Sequence, residues 1–140
     1  MPLTIKDTDG GLGNLIEGIG YISGTEYLAL MREHLSQDAA SFSRYRYSLS
    51  DFSEVSEIQI SNVEIEEVAM LCQESAKVNP NPLVAIVAKS DVLFGLSRMY
   101  EALLSATDWE IMVFRTIPEA RTWIHLRAEE KFSLDALTFE

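Results

Sequence analysis

Residues 83 to 88 read LVAIVA, six apolar side chains in succession, with prolines before them and the polar pair Lys89 and Ser90 after them. A strand wetted on one face alternates apolar and polar residues, so an unbroken short run fits a strand covered on both faces. Such a strand belongs at the centre of a sheet with a layer on each side. The rest of the chain must supply those layers.

Helix-like segments alternate with strand-like ones around this hexapeptide, and the helix entries carry start motifs. The first helix is expected over about Gly24 to Gln37, where Ser23 caps and Glu26 reaches back, with Tyr27, Leu28, Met31 and Leu35 at helical spacing. The second starts at Ser61 with Glu64 completing a capping box, presents Ile65, Val68, Ala69, Cys72 and Ala76 on one face, and stops before NPNP. Ser90 or Asp91 caps a third, running to about Ala106 through Val92, Leu96, Met99 and Leu103. Thr116 and Glu119 open a fourth, with Pro118 in the first turn, ending near Arg127.

Tyr45 to Leu49 and Trp109 to Phe114 are the flanking strands. Residues 2 to 6 and 14 to 22 form a hairpin across DTDGGLG, whose glycines suit the positive φ of a tight turn. The polar stretch from Leu49 to Asn62, LSDFSEVSEIQISN, is expected to be a loop leading into the second helix. The fold class is therefore α/β, a mixed and mostly parallel sheet of about five strands in the order ββαβαβαβα. Residues 1–127 form a single domain. Residues 128–140 are a tail whose Phe132, Leu134, Leu137 and Phe139 are too apolar for a solvated end, which suggests docking on a partner or second subunit.

With 140 residues, the chain should bury roughly 68 to 70% of its unfolded surface, enough for a core without staples. Eleven basic against 22 acidic residues give a net charge of −11, which disfavours nucleic acid and anionic membrane surfaces. A single cysteine, Cys72, excludes an internal disulfide. No basic, apolar leader opens the sequence and no apolar run is long enough for stable membrane insertion, so a cytoplasmic location is expected.

Catalytic and metal groupings do not emerge. GLGNLI lacks the third glycine and the strand-to-helix context of a nucleotide loop, and DTDGGLG places Gly11 and Gly18 where a calcium loop needs ligands. His34 and His125 stand far apart, no serine sits in a G-x-S-x-G elbow, and Glu66 with Glu67, like Glu129 with Glu130, point apart on helices. No catalytic residue, metal or cofactor is expected. FGLSRMYEALL, residues 94 to 104, holds more: Gly95 in a helix permits close approach of a backbone or ligand, and Arg98 and Tyr100 would face a sheet end where ligands collect. The competing account pairs Arg98 with a surface carboxylate and packs Tyr100 in the core.

The segments YSLSDFSEV, LVAIVAKSDVLFGLSRMYEAL and WEIMVFRTIPEARTWI together resemble the SpoIIAA-like branch of the STAS superfamily over residues 14 to 126. That resemblance implies a mixed sheet with packed helices and a relation to lipid-transfer folds of the CRAL-TRIO type. STAS anti-sigma-factor antagonists carry D-x-S at the strand end and then a D-S-S-G run with a phosphorylated serine. Asp51 and Ser53 match the first element, whereas the second reads QISN and keeps only Ser61. A phosphate there would add a charge of about −1.5 to −2 beside Glu57, Glu64, Glu66 and Glu67, so helix capping explains Ser61 better.

Three functional readings follow. The first is a non-catalytic, STAS-like interaction or regulatory module that binds a protein partner or itself as a homo-oligomer. The second is a carrier of a small apolar or lipid-like ligand, lined by Phe94, Arg98, Tyr100 and Phe114. The third is a phosphorylation switch at Ser61 or Ser53.

Overall fold

Asp9, Gly10 and Gly11 reverse the chain in a single 3-10 turn, with φ of 50°, 66° and 96°. At φ 96° Gly11 occupies backbone that side chains rarely adopt, and a Cβ there would also press on Arg44, at 2.5 Å from Nε, so glycine suits the position. The turn joins β1 (Leu3–Thr8) to β2 (Gly13–Ser23) as the expected antiparallel hairpin. The computed structural model describes residues 2–80 and 82–140; Met1 and Asn81 of the NPNP stop lie outside the described residues.

The chain continues through α1 (Gly24–Leu35), α2 (Ala39–Ser43), β3 (Tyr47–Gln59), α3 (Asn62–Ser75), β4 (Leu83–Val87), α4 (Asp91–Leu103), β5 (Glu110–Phe114) and α5 (Ile117–Phe132). The sheet is five-stranded in the order β1-β2-β3-β4-β5, with β2 to β5 parallel. Parallel crossovers are right-handed, so a strand order that always advances in one direction puts the connecting helices on one face. Accordingly Leu28, Met31, Val68, Ala69, Cys72 and Leu93 join Ile16, Phe52, Val84, Ile86, Ile111 and Val113 in one core.

Beyond β5, the last helix turns to the opposite face. Ala120, Ile124 and Ala128 of α5 pack there with Tyr47, Leu49, Leu83, Ala85 and Val87. The hexapeptide LVAIVA feeds both cores, Leu83, Ala85 and Val87 on one side and Val84, Ile86 and Ala88 on the other, none more than 7% exposed. Covering on both faces is what its composition demands, although β4 lies second from the sheet's edge and β3, not β4, is the central strand.

Three segments differ from the sequence reading. The stretch from Leu49 to Asn62 is strand to Gln59, not loop. Its apolar residues recur every third position, Phe52, Val55 and Ile58, because the register with β2 slips twice: Glu17 pairs with Asp51 but Ile19 with Glu54, and Gly20 with Val55 but Tyr21 with Glu57. Each slip adds a residue to β3 and returns an apolar side chain to the helical face. A strand so bulged shows no period of two. Secondly, the short α2 was not anticipated; Asp38 caps it, and Phe42 packs edge-on against His34 and Tyr45.

The tail is the third. α5 continues five residues past Arg127, and residues 133 to 140 fold back on their own sheet, where Leu137 and Phe139 are buried. Asp9 Oδ1 accepts from the Thr138 N–H at 2.7 Å and Oδ2 from the Phe139 N–H at 3.0 Å. The Asp9 N–H donates to the Glu140 carbonyl at 2.7 Å, and the Tyr47 hydroxyl donates to the same carboxylate. The apolar character that suggested a second subunit is used within the chain.

Candidate interaction surface

The strands differ in length, and that difference shapes one end of the molecule. β4 and β5 have five residues each, β2 eleven and β3 thirteen. β4 pairs with β3 only from Tyr47 to Asp51. Past Asp51, β3 keeps β2 on one side, and among the described residues no strand lies on the other. The two long strands project as an arm beyond the sheet's carboxyl end.

One face of the arm is packed against the helices. Ile22, Phe52, Val55 and Ile58 pack toward α1 and α3, with the Tyr27 ring meeting Phe52 edge-on at 6.0 Å. Residues paired across the two strands share a face, so Ile19 with Glu54 and Tyr21 with Glu57 occupy the other. There Ile19 is 59% and Tyr21 48% exposed, and the Tyr21 hydroxyl reaches Gln59 at 3.4 Å. Two large apolar side chains therefore stand in water, rimmed by Glu17, Glu54 and Glu57. Isolated exposed apolar residues are ordinary, but a pair framed by one sign of charge is a recognisable contact patch.

The four residues expected to line a ligand pocket do not converge. Tyr100 and Phe94 pack on the helical face, whereas Phe114 lies across the sheet, tilted against Trp123 at 5.8 Å. The Arg98 side chain is 63% exposed and pairs with Glu101 at 3.2 Å, and the Phe94 ring carries the Arg115 guanidinium at 4.1 Å, itself paired with Asp91. The expectation assumed a crevice at a reversal of strand order, and this order never reverses; the groove beside Arg98, about 490 Å³ and walled by Glu101, Leu104, Trp109 and Ile111, is open to solvent and includes none of Phe94, Tyr100 and Phe114. Nor does Gly95 mark a close approach. A Cβ there would meet nothing within 4 Å.

Tyr100 is held instead by Cys72, hydroxyl to Sγ at 3.0 Å. Burial pushes the Cys72 thiol up to about 12, although the Tyr100 bond pulls it down, and burial likewise raises the Tyr27 and Tyr100 hydroxyls. All three stay protonated near neutrality, which makes the thiol a packing group. Burial lowers the pKa of His34, against an upward pull from Asp7, so that imidazole is neutral at pH 7. Two cavities of about 40 and 50 Å³ flank the wall made by Tyr27, Ile86 and Tyr100. Each has room for one or two waters, not an acyl chain.

The two candidate phosphate acceptors are also placed. Ser61 is exposed and caps α3: its Oγ accepts from the Glu64 N–H at 3.1 Å, and Glu64 Oε1 accepts from the Ser61 N–H at 2.9 Å. Ser53 sits on the arm and donates to Asp51 Oδ1 at 2.6 Å. They lie on different elements.

No family model matches the sequence, and no curated protein matches it. Among solved structures, the crystal structure of an uncharacterized protein of the DUF3478 family with a SpoIIAA-like fold, from Shewanella loihica PV-4, aligns with 86% of this chain and 90% of its own. The TM-score is 0.50 at 15% identity. This chain has a SpoIIAA-like fold. At that identity the likeness reaches the architecture alone, which agrees with the resemblance read from residues 14 to 126. Within this SpoIIAA-like sheet, sequence reasoning missed Ile19, Tyr21, Glu54 and Glu57. The threefold recurrence of Phe52, Val55 and Ile58 was the available clue to them.

Proposed function

We propose that the protein is a non-catalytic interaction module whose contact surface is the β2–β3 arm and whose partner is another protein carrying basic residues. The observation behind this reading is the exposed pair Ile19 and Tyr21 within a rim of carboxylates. Aromatic and aliphatic anchors ringed by charge are the usual anatomy of a protein contact, and a net charge of −11 steers basic partners toward it. A second copy of the chain would bring the same carboxylates together, so a different protein is the better occupant. Nothing in the two small cavities favours the carrier reading.

The test is site-specific photocrosslinking in the native host. A benzoylphenylalanine at position 19 or 21 should yield one discrete heavier species, absent when the probe sits at exposed Leu126 on α5. Equal or no crosslinking at all three positions would remove the arm as the contact surface.

A further inference from the structure

Among the described residues no strand pairs with the β3 edge that faces away from β2 from Phe52 to Gln59, since β4 ends opposite Asp51. Over these eight residues, at about 3.3 Å each roughly 26 Å, alternate residues turn their main-chain donors and acceptors to the edge, and the Ser53 N–H is already taken by Asp51 Oδ1 at 3.0 Å. Along this edge the residues Glu54, Ser56, Glu57 and Gln59 are exposed. Beside it lies the second small cavity, whose walls include Phe52, Ile58 and Ile60 from the β3 side and Leu93, Leu96 and Ser97 from α4. A ladder of backbone groups with an apolar recess next to it is the arrangement that accepts an added strand.

We propose that this edge binds an extended, basic segment of a partner protein by strand addition, its aliphatic side chains lying over the mouth of the recess and the intervening Lys or Arg facing Glu54 and Glu57. Charge chooses the occupant. Among the described residues neither Glu54 nor Glu57 has an ion-pair partner. A second copy laid on the same edge would set these carboxylates against their equivalents, and like charges directly opposed across strands are destabilising. The two bulges and the acids thus protect the edge from self-pairing while leaving it open to a cationic strand.

This inference rests on the interaction-module reading and is separable from it by experiment. A library of random twelve-residue peptides is selected against the full-length protein, and the enriched peptides are resynthesised with single backbone N-methyl groups at successive positions. Strand addition predicts enriched sequences that alternate Lys or Arg with Val, Ile or Leu. Binding should be lost on N-methylation at every second residue and kept at the residues between. Reversing the rim with Glu54→Lys and Glu57→Lys should weaken Kd about tenfold, with the protein's melting temperature checking that it still folds.

Peptides that bind but tolerate N-methylation throughout, or whose hydrogen-exchange protection falls outside residues 52–59, overturn strand addition and leave the module reading standing. Failure to enrich any alternating basic peptide also overturns it, and the crosslinking at positions 19 and 21 then judges the module separately. A concentration-dependent dimer that protects residues 52–59 would show that the edge serves a second copy instead.

Discussion

At the scale of single residues, Gly95 and Asp9 carry opposite lessons. Gly95 sits in the body of α4 with open space around the position of a Cβ and without positive φ, so it bears the helical cost of glycine with no packing return. Gly95→Ala should stabilise the protein by up to about 1 kcal/mol, read as a higher urea midpoint; a lower midpoint would reveal a constraint that the geometry lacks. Asp9 is constrained instead. Its burial raises the pKa, but donors from Thr138, Tyr47 and Phe139 outweigh that and hold it below the ordinary 3.8. A depressed folded pKa means the contribution is complete above the unfolded value and is lost as pH falls through the lower folded one. The Thr138 and Phe139 amide resonances should therefore stay fixed from pH 7 down to about 4 and move only below it. Movement centred above pH 4 would mean that some other group holds the tail.

Elements were legible where their chemistry repeats with a regular period. α3 illustrates this: Ser61 and Glu64 announced its start, and both halves of the capping box are formed. Ser61→Ala should cost about 1 kcal/mol by equilibrium denaturation, with Ser61→Asp restoring most of it, since aspartate also caps. If the aspartate variant is no better than alanine, the hydroxyl has a role beyond the cap. β3 was illegible past Leu49 because its two register slips convert an alternation of two into a recurrence of three, which matches neither a strand nor a helix. α2 escaped for a different reason. Five residues are too few to establish any period, and α2 is held by Phe42 meeting its neighbours His34 and Tyr45 and by Asn79 Nδ2, from a distant part of the chain, donating to the Phe42 carbonyl at 3.1 Å. The proposed contact surface inherits this pattern, since its acids and exposed apolar side chains belong to the one strand pair whose register is irregular.

For the molecule as a whole, the sheet divides the interior into two cores of unequal construction. The helical-face core is closed by three helices, whereas the opposite one has α5 alone and depends on the tail to cover Tyr47 and Leu49. Phe139 meets the Tyr47 ring at 5.3 Å and His125 at 5.0 Å, both edge-on, and Leu137 and Phe139 are only 8% and 7% exposed. Burying each contributes about 1.5 to 3 kcal/mol, so a chain ending at Ser133 should lose about 3 to 6 kcal/mol. Against a typical total of about 5 to 15 kcal/mol, that is a large fraction. The same experiment distinguishes the tail's two possible uses. If it covers its own core, truncation lowers the urea midpoint sharply and leaves the mass found by light scattering unchanged under native conditions. If it bridges subunits, truncation instead halves the mass at little cost to the protomer's own unfolding. The first outcome is the one in which Asp9 holds Thr138 and Phe139 of its own chain, as these bonds show it doing.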